Sequence, residues 1–196
     1  MKYLKYLLYL IIVLVLVFFG KGFLTPSVSY ENEIIVNKPA KEAWAVMSDE
    51  SNLPKWIEGF IRTELVSGTA NEVGAVSNVY VDDSGQEMMM EETITAIKLH
   101  EHMAMTFTME FMNMDYEINF KEEGGKTTIN SKSTTMGNSI FAKSMISFMP
   151  GAMKEQEDKN LSSLKKLIEE NTKNYFPEPE IETEPVIDST AVSTEE

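Results

Sequence analysis

The sequence has no cysteine, which removes disulfides, thiolate nucleophiles and cysteine-based zinc sites together and leaves the redox compartment open. Basic residues are scarce. The 17 Lys and Arg stand against 31 Asp and Glu, for a formal net charge of −14, and no Lys/Arg cluster occurs that could displace counterions from phosphates. No nucleic-acid partner is therefore expected. Histidine is limited to two residues, and a Ser-His-Asp order, a Gly-rich phosphate loop and a dinucleotide fingerprint are all missing. The residues thus offer no catalytic constellation, no cofactor motif and no metal site.

What is present begins with an uncharged run, Tyr6 to Gly20, flanked by Lys2 and Lys5 on one side and Lys21 on the other. Its core spans roughly 22 Å as a helix; Tyr3, Leu4, Phe23 and Leu24 lengthen it while the lysines snorkel outward, enough to cross a hydrocarbon layer of about 30 Å. A cleaved signal peptide is the competing reading. It wants small residues, alanine above all, at −3 and −1 of a cleavage site, and the segment Phe18 to Leu24 has no alanine and offers only Gly20 and Gly22, astride Lys21. The chain is therefore read as a single-pass membrane protein anchored by residues 1–24. Lysines on the two sides nearly balance, and by a narrow margin they tilt toward a cytoplasmic N-terminus and an extracytoplasmic domain.

After Thr25-Pro26-Ser27 the pattern changes. Val28 to Val36 is rich in β-formers and stops at Asn37-Lys38-Pro39; Ala40 to Met47 is helical in composition, with Trp44 and Met47 on one face. Ser51-Asn52-Leu53-Pro54 can cap a second short helix carrying Trp56, Ile57 and Phe60. From Ile61 to Met136 alternation dominates and Gly-bearing turns recur at Ser67-Gly68, Asp82 to Gly85 and Glu123 to Gly125, the signature of an antiparallel meander. Two of its strands change parity around Glu110-Phe111, so a tight turn there lets both apolar sets face one side. A long amphipathic helix is predicted from about Gly151 to Asn171, with Met153, Leu161, Leu164, Leu167 and Ile168 on its inner face and Glu157 among the charged residues that cover the rest. Residues 177–196 hold seven acidic and no basic residues, half of the net charge, and read as a disordered tail.

The fold class is therefore α+β: a curved antiparallel sheet of about seven strands wrapped around a long C-terminal helix, with two short helices after the first strand. That order of elements, the entry VSYENEIIVNKPAKEAWAVMSD, the segment SNLPKWIEGF and the closing helix resemble the SRPBCC superfamily, also called START-like or helix-grip, and in particular its polyketide cyclase/dehydrase and lipid-transport branch. The resemblance spans about residues 28–171 within a domain of residues 25–176. It implies a deep cavity between sheet and long helix, used in various members for lipids, sterols, polyketides and aromatic compounds, and it implies no single reaction.

Within that fold the methionines are distinctive: fourteen in the chain, a flexible and polarizable residue that adapts to ligands of several shapes and equally fills irregular cores. The expected cavity lining is Trp56, Phe60, Met90, Met103, Met105, Phe107, Met114, Tyr116, Met149 and Met153, around a hydrophobic small molecule or lipid. Three weaker signals remain. His100-Glu101-His102 falls at a turn, where both imidazoles should be exposed and no third ligand exists. Of Glu91 and Glu92 at most one can face the cavity, where burial would raise it toward acid–base use. Ser131, Ser133 and Thr135 read as an exposed edge strand rather than as contacts to a headgroup. A membrane-tethered binding module follows as the first reading, ahead of a cyclase/dehydrase-like enzyme or a protein-interaction module like the chaperone cofactors that the resemblance brings in.

Overall fold

The computed structural model describes residues 2–177, so the acidic stretch, apart from its first residue, lies outside the described residues. The apolar run forms helix α1 (Lys2–Leu24), longer at both ends than its uncharged core. At 23 residues it reaches about 34 Å, long and apolar enough to cross a membrane. Strand β1 (Ser27–Val36) follows, then α2 (Ala40–Ser48), which starts directly after Pro39.

The second short helix departs from expectation. It is a 3-10 turn (Glu50–Asn52) running into one turn of helix, α3 (Leu53–Trp56), and Phe60 opens the next strand instead of ending the helix. The reason is Gly59, whose φ of +75° reverses the chain; its carbonyl accepts from Asp82 N at 2.7 Å. Any Cβ there would sit 2.6 Å from the Asp82 carbonyl oxygen.

The meander comprises β2 (Phe60–Ser67), β3 (Val76–Asp83), β4 (Gln86–Lys98), β5 (His102–Thr108), β6 (Met112–Glu123) and β7 (Lys126–Gly137). With β1 they form one curved seven-stranded antiparallel sheet in the order β1-β7-β6-β5-β4-β3-β2. The parity change at Glu110-Phe111 is the β5–β6 turn, and the register pairs Met103 with Ile118, Met105 with Tyr116 and Phe107 with Met114, all on one face.

Because β1 docks on β7, the hydroxyl-rich strand is interior and the exposed-edge reading is wrong: Ser131, Ser133 and Thr135 are at most 1 % exposed. A short helix that the sequence did not signal, α4 (Ile140–Ile146), is capped by the Ser139 hydroxyl, which accepts from Ala142 N at 3.1 Å. The long helix α5 (Pro150–Glu170) then closes the domain.

The space between sheet and α5 is filled unevenly. Leu161, Leu164 and Ile168 on the C-terminal half of α5 are fully buried against Val36, Ala43, Val46, Ile118 and Ile129. Each contributes about 1.5–3 kcal/mol by burial. Asn52 closes that end by donating to Val46 O at 2.9 Å and to the Tyr175 hydroxyl at 3.1 Å. The N-terminal half of α5 stands over open space.

Candidate functional site

Two rows of residues run across the concave face of the sheet above that space. Tyr30, Ser133, Tyr116, Met105 and Ile94 are partners in register, and two residues along each strand lie Thr135, Met114, Phe107, Glu92 and Ser77. Side chains two apart on a strand share a face, so Glu92 points in and its neighbour Glu91 points out. From the other side α5 presents Met153, Gln156, Glu157 and Asn160, a helical i, i+3, i+4, i+7 set, and α3 adds Leu53 and Trp56.

Together they enclose a cavity of about 770 Å³, within the range of small-molecule sites. Nine of the ten residues expected in the lining are on its wall: Trp56, Phe60, Met90, Met103, Met105, Phe107, Met114, Tyr116 and Met153. Met149 is not. It precedes the first turn of α5, 41 % exposed, outside the cavity.

The polar groups were the less legible part. Tyr116 donates its hydroxyl to Glu157 Oε1 at 2.8 Å. Burial pushes the Glu157 carboxyl up, opposed by hydrogen bonds from Tyr116 and Ser131. Burial also holds Tyr116 well above the usual phenol range, reinforced by the Glu157 charge, and raises Tyr30 for the same first reason. Glu92 is raised by burial alone.

Glu157, expected among the charged residues on the outer face of the closing helix, is only 8 % exposed. The signal was available, since Met153, Glu157, Leu161, Leu164 and Ile168 form one stripe and a carboxylate interrupts it. Several buried polar atoms lack a partner among the described residues, including Trp56 Nε1 and Thr135 Oγ1.

The segment linking α3 to β2 lies against α5 at one edge of the cavity. Gln156 Nε2 donates to Glu58 Oε2 at 2.7 Å, and Glu58 N donates to Asn160 Oδ1 at 3.1 Å. These bonds tie the two sides of that edge together.

The two histidines lie away from the cavity and are half-buried, contrary to expectation. His100 packs edge-on to Trp44 with ring centroids 6.2 Å apart, and His102 Nδ1 bonds Asn119 Oδ1 at 2.8 Å. The turn takes His100 to a φ of +65°.

The sequence of residues 27–169 matches the family described as polyketide cyclase/dehydrase and lipid transport. No curated protein sequence matches the chain. Among solved structures, the chain is similar to the Zhui aromatase/cyclase from Streptomyces sp. R1128, with a TM-score of 0.61 at 12% identity over 73% of this chain and 94% of that one. A START superfamily protein from Mycobacterium smegmatis has a TM-score of 0.58 at 11% identity, covering 72% and 97% respectively. These likenesses are of fold.

Proposed function

The chain belongs to the polyketide cyclase/dehydrase and lipid-transport family, and we propose that within it this protein is a membrane-tethered binding module that holds an apolar small molecule between the sheet and α5. The cavity carries this reading: an open volume walled by Met, Phe and Trp side chains, with a few convergent polar groups at one side. A folded domain of this size leaves such a volume only at a cost in lost packing, and occupation by a ligand recovers those contacts.

Tethering is supported by α1 and by what it touches. Phe18 stacks parallel on Phe148 at 5.9 Å and meets Phe141 at 5.8 Å, while Lys21 lies 4.0 Å over the Phe148 ring. Ile140, Phe141, Met145 and Phe148 are exposed beside the end of that helix, an apolar patch that suits a bilayer surface. A cavity held there samples molecules that partition into lipid.

The test is native mass spectrometry of the full chain released from nanodiscs, with extraction and identification of small molecules. An apolar species at near one-to-one is expected. A bare protein mass that stays unchanged across a panel of fatty alcohols, sterols and aromatic compounds overturns the reading.

One observation favours a second reading, an enzyme of the cyclase/dehydrase kind. Glu92 and Glu157 are carboxyls of raised proton affinity inside an apolar cavity, as an acid–base catalyst requires. Chemical alteration of the captured molecule by the wild-type chain, lost in both Glu92→Gln and Glu157→Gln, would establish it.

A further inference from the structure

We propose that the cavity selects apolar molecules that carry a protonated amine, seated against Glu157, and discriminates against carboxylates and phosphates. This rests on the binding-module reading and specifies the chemistry of its ligand.

The lining contains six carboxylates, Glu50, Glu58, Asp82, Asp83, Glu92 and Glu157, and among the described residues no Lys, Arg or His. The cations on neighbouring elements are engaged elsewhere. Lys55 donates to Asn52 Oδ1 at 2.8 Å, Lys154 pairs with Asp158, Lys159 with Glu155, and Arg62 with Glu64 and Glu87. An anionic head entering this space meets like charge along its lining, with no counter-ion to offset its desolvation.

A cation meets the opposite situation. Glu157 is held by one hydrogen bond from Tyr116 at 2.8 Å and a further one from Ser131, and no hydrogen bond reaches the Glu92 side chain among the described residues. Both are costly as buried, unpaired anions, and an ammonium supplies the missing charge.

Geometry supplies the remaining partners. An ammonium has three N–H donors and no acceptor. Ser133 stands between Tyr30 and Tyr116 in the row that faces α5, 1 % exposed; its hydroxyl can donate to Tyr30, which leaves its oxygen free to accept. That oxygen and the Glu157 carboxylate are acceptors on facing walls. Trp56, Phe60 and Phe107 add aromatic faces for a cation and its apolar body.

The experiment uses the full chain in phosphatidylcholine nanodiscs and three photoreactive probes with the same dodecyl chain, ending in an amine, an alcohol or a carboxylate. Labelling of β4–β6 and α5 peptides is read by mass spectrometry, normalised to labelling of α1 in the same sample to correct for partitioning. The amine should exceed the carboxylate by about tenfold or more, which is about 1.4 kcal/mol, and should exceed the alcohol severalfold. Glu157→Gln, with Glu92→Gln as a second variant, should bring amine labelling down toward that of the alcohol, whereas Glu155→Gln on the solvent face should leave the order intact. Carboxylate labelling equal to or above that of the amine overturns the inference, as does an amine preference that survives both cavity variants. If the alcohol labels the wall as well as the amine does, the charge selection falls and the binding module stands. If no probe labels the wall, both fall.

Discussion

Glu157 sits where a leucine would complete the inner stripe of α5, and its proton affinity sets a pH dependence of stability. Its folded-state value is raised, as is that of Glu92, so the folded protein binds a proton that the unfolded chain releases at ordinary carboxylate pH. Stability should therefore fall as pH rises from about 4.5 through the raised value and level off above it. Thermal unfolding followed across that range should show the decline in wild type and a shallower one in Glu157→Gln and Glu92→Gln, with a gain in stability near neutral pH. Tyr116→Phe should act the other way. It removes the donor to Glu157 Oε1 and should cost about 1–3 kcal/mol, most of it recovered when Glu157→Gln is added. The apolar wall was legible because alternation and the β5–β6 parity switch fix which side chains face in. The buried hydroxyls of β7 were not, because their burial depends on β1 arriving from far away in sequence, and no local pattern on β7 carries that information.

Among the elements, α5 divides into a packed half and an open half, and truncations should separate them. Leu164→Ala, in the packed half, should cost about 2–5 kcal/mol. Met114→Ala, which faces space already empty, should cost about 1 kcal/mol or less; denaturant titration of the two variants checks the contrast. The long helix and the six-strand meander were readable from period and turns. Helix α4 was not, since its seven residues carry only three buried positions, Ala142, Ser144 and Ile146, and are too few to establish a 3.6 period. Its contact with α1 depends on Gly22, where a Cβ would come within 2.6 Å of Ser144 Cα. The chain has no native cysteine, so a Phe18→Cys, Phe141→Cys pair reports this contact by cross-linking with a short bis-maleimide. The pair should cross-link readily, and adding Gly22→Val should abolish the cross-link.

For the whole molecule, the order of elements and the entry segment sufficed to anticipate the architecture, because strand, paired short helices, meander and closing helix admit few ways of burying one face of each. Size and shape of the void were not anticipated, because they depend on how far α5 stands from the sheet. The domain thus has a dense end around the C-terminal half of α5, an open end at its N-terminal half, and an apolar α4 flank beside α1.

The pairing of β1 with β7 joins residues 105 positions apart, as in the bond between Ser29 and Thr134, and only Thr25 and Pro26 separate β1 from the end of α1. During synthesis the first strand is therefore made at once beside the apolar helix and then waits for nearly the whole domain before its partner emerges. Until then its edge is open to wrong pairings, and closure is a late, non-local event of the slow-folding kind. Nascent chains arrested before residue 126 should stay protease-sensitive, and protection should appear only once β7 and α5 have both left the ribosome, so that the cavity comes into being in the last step of the chain's own production.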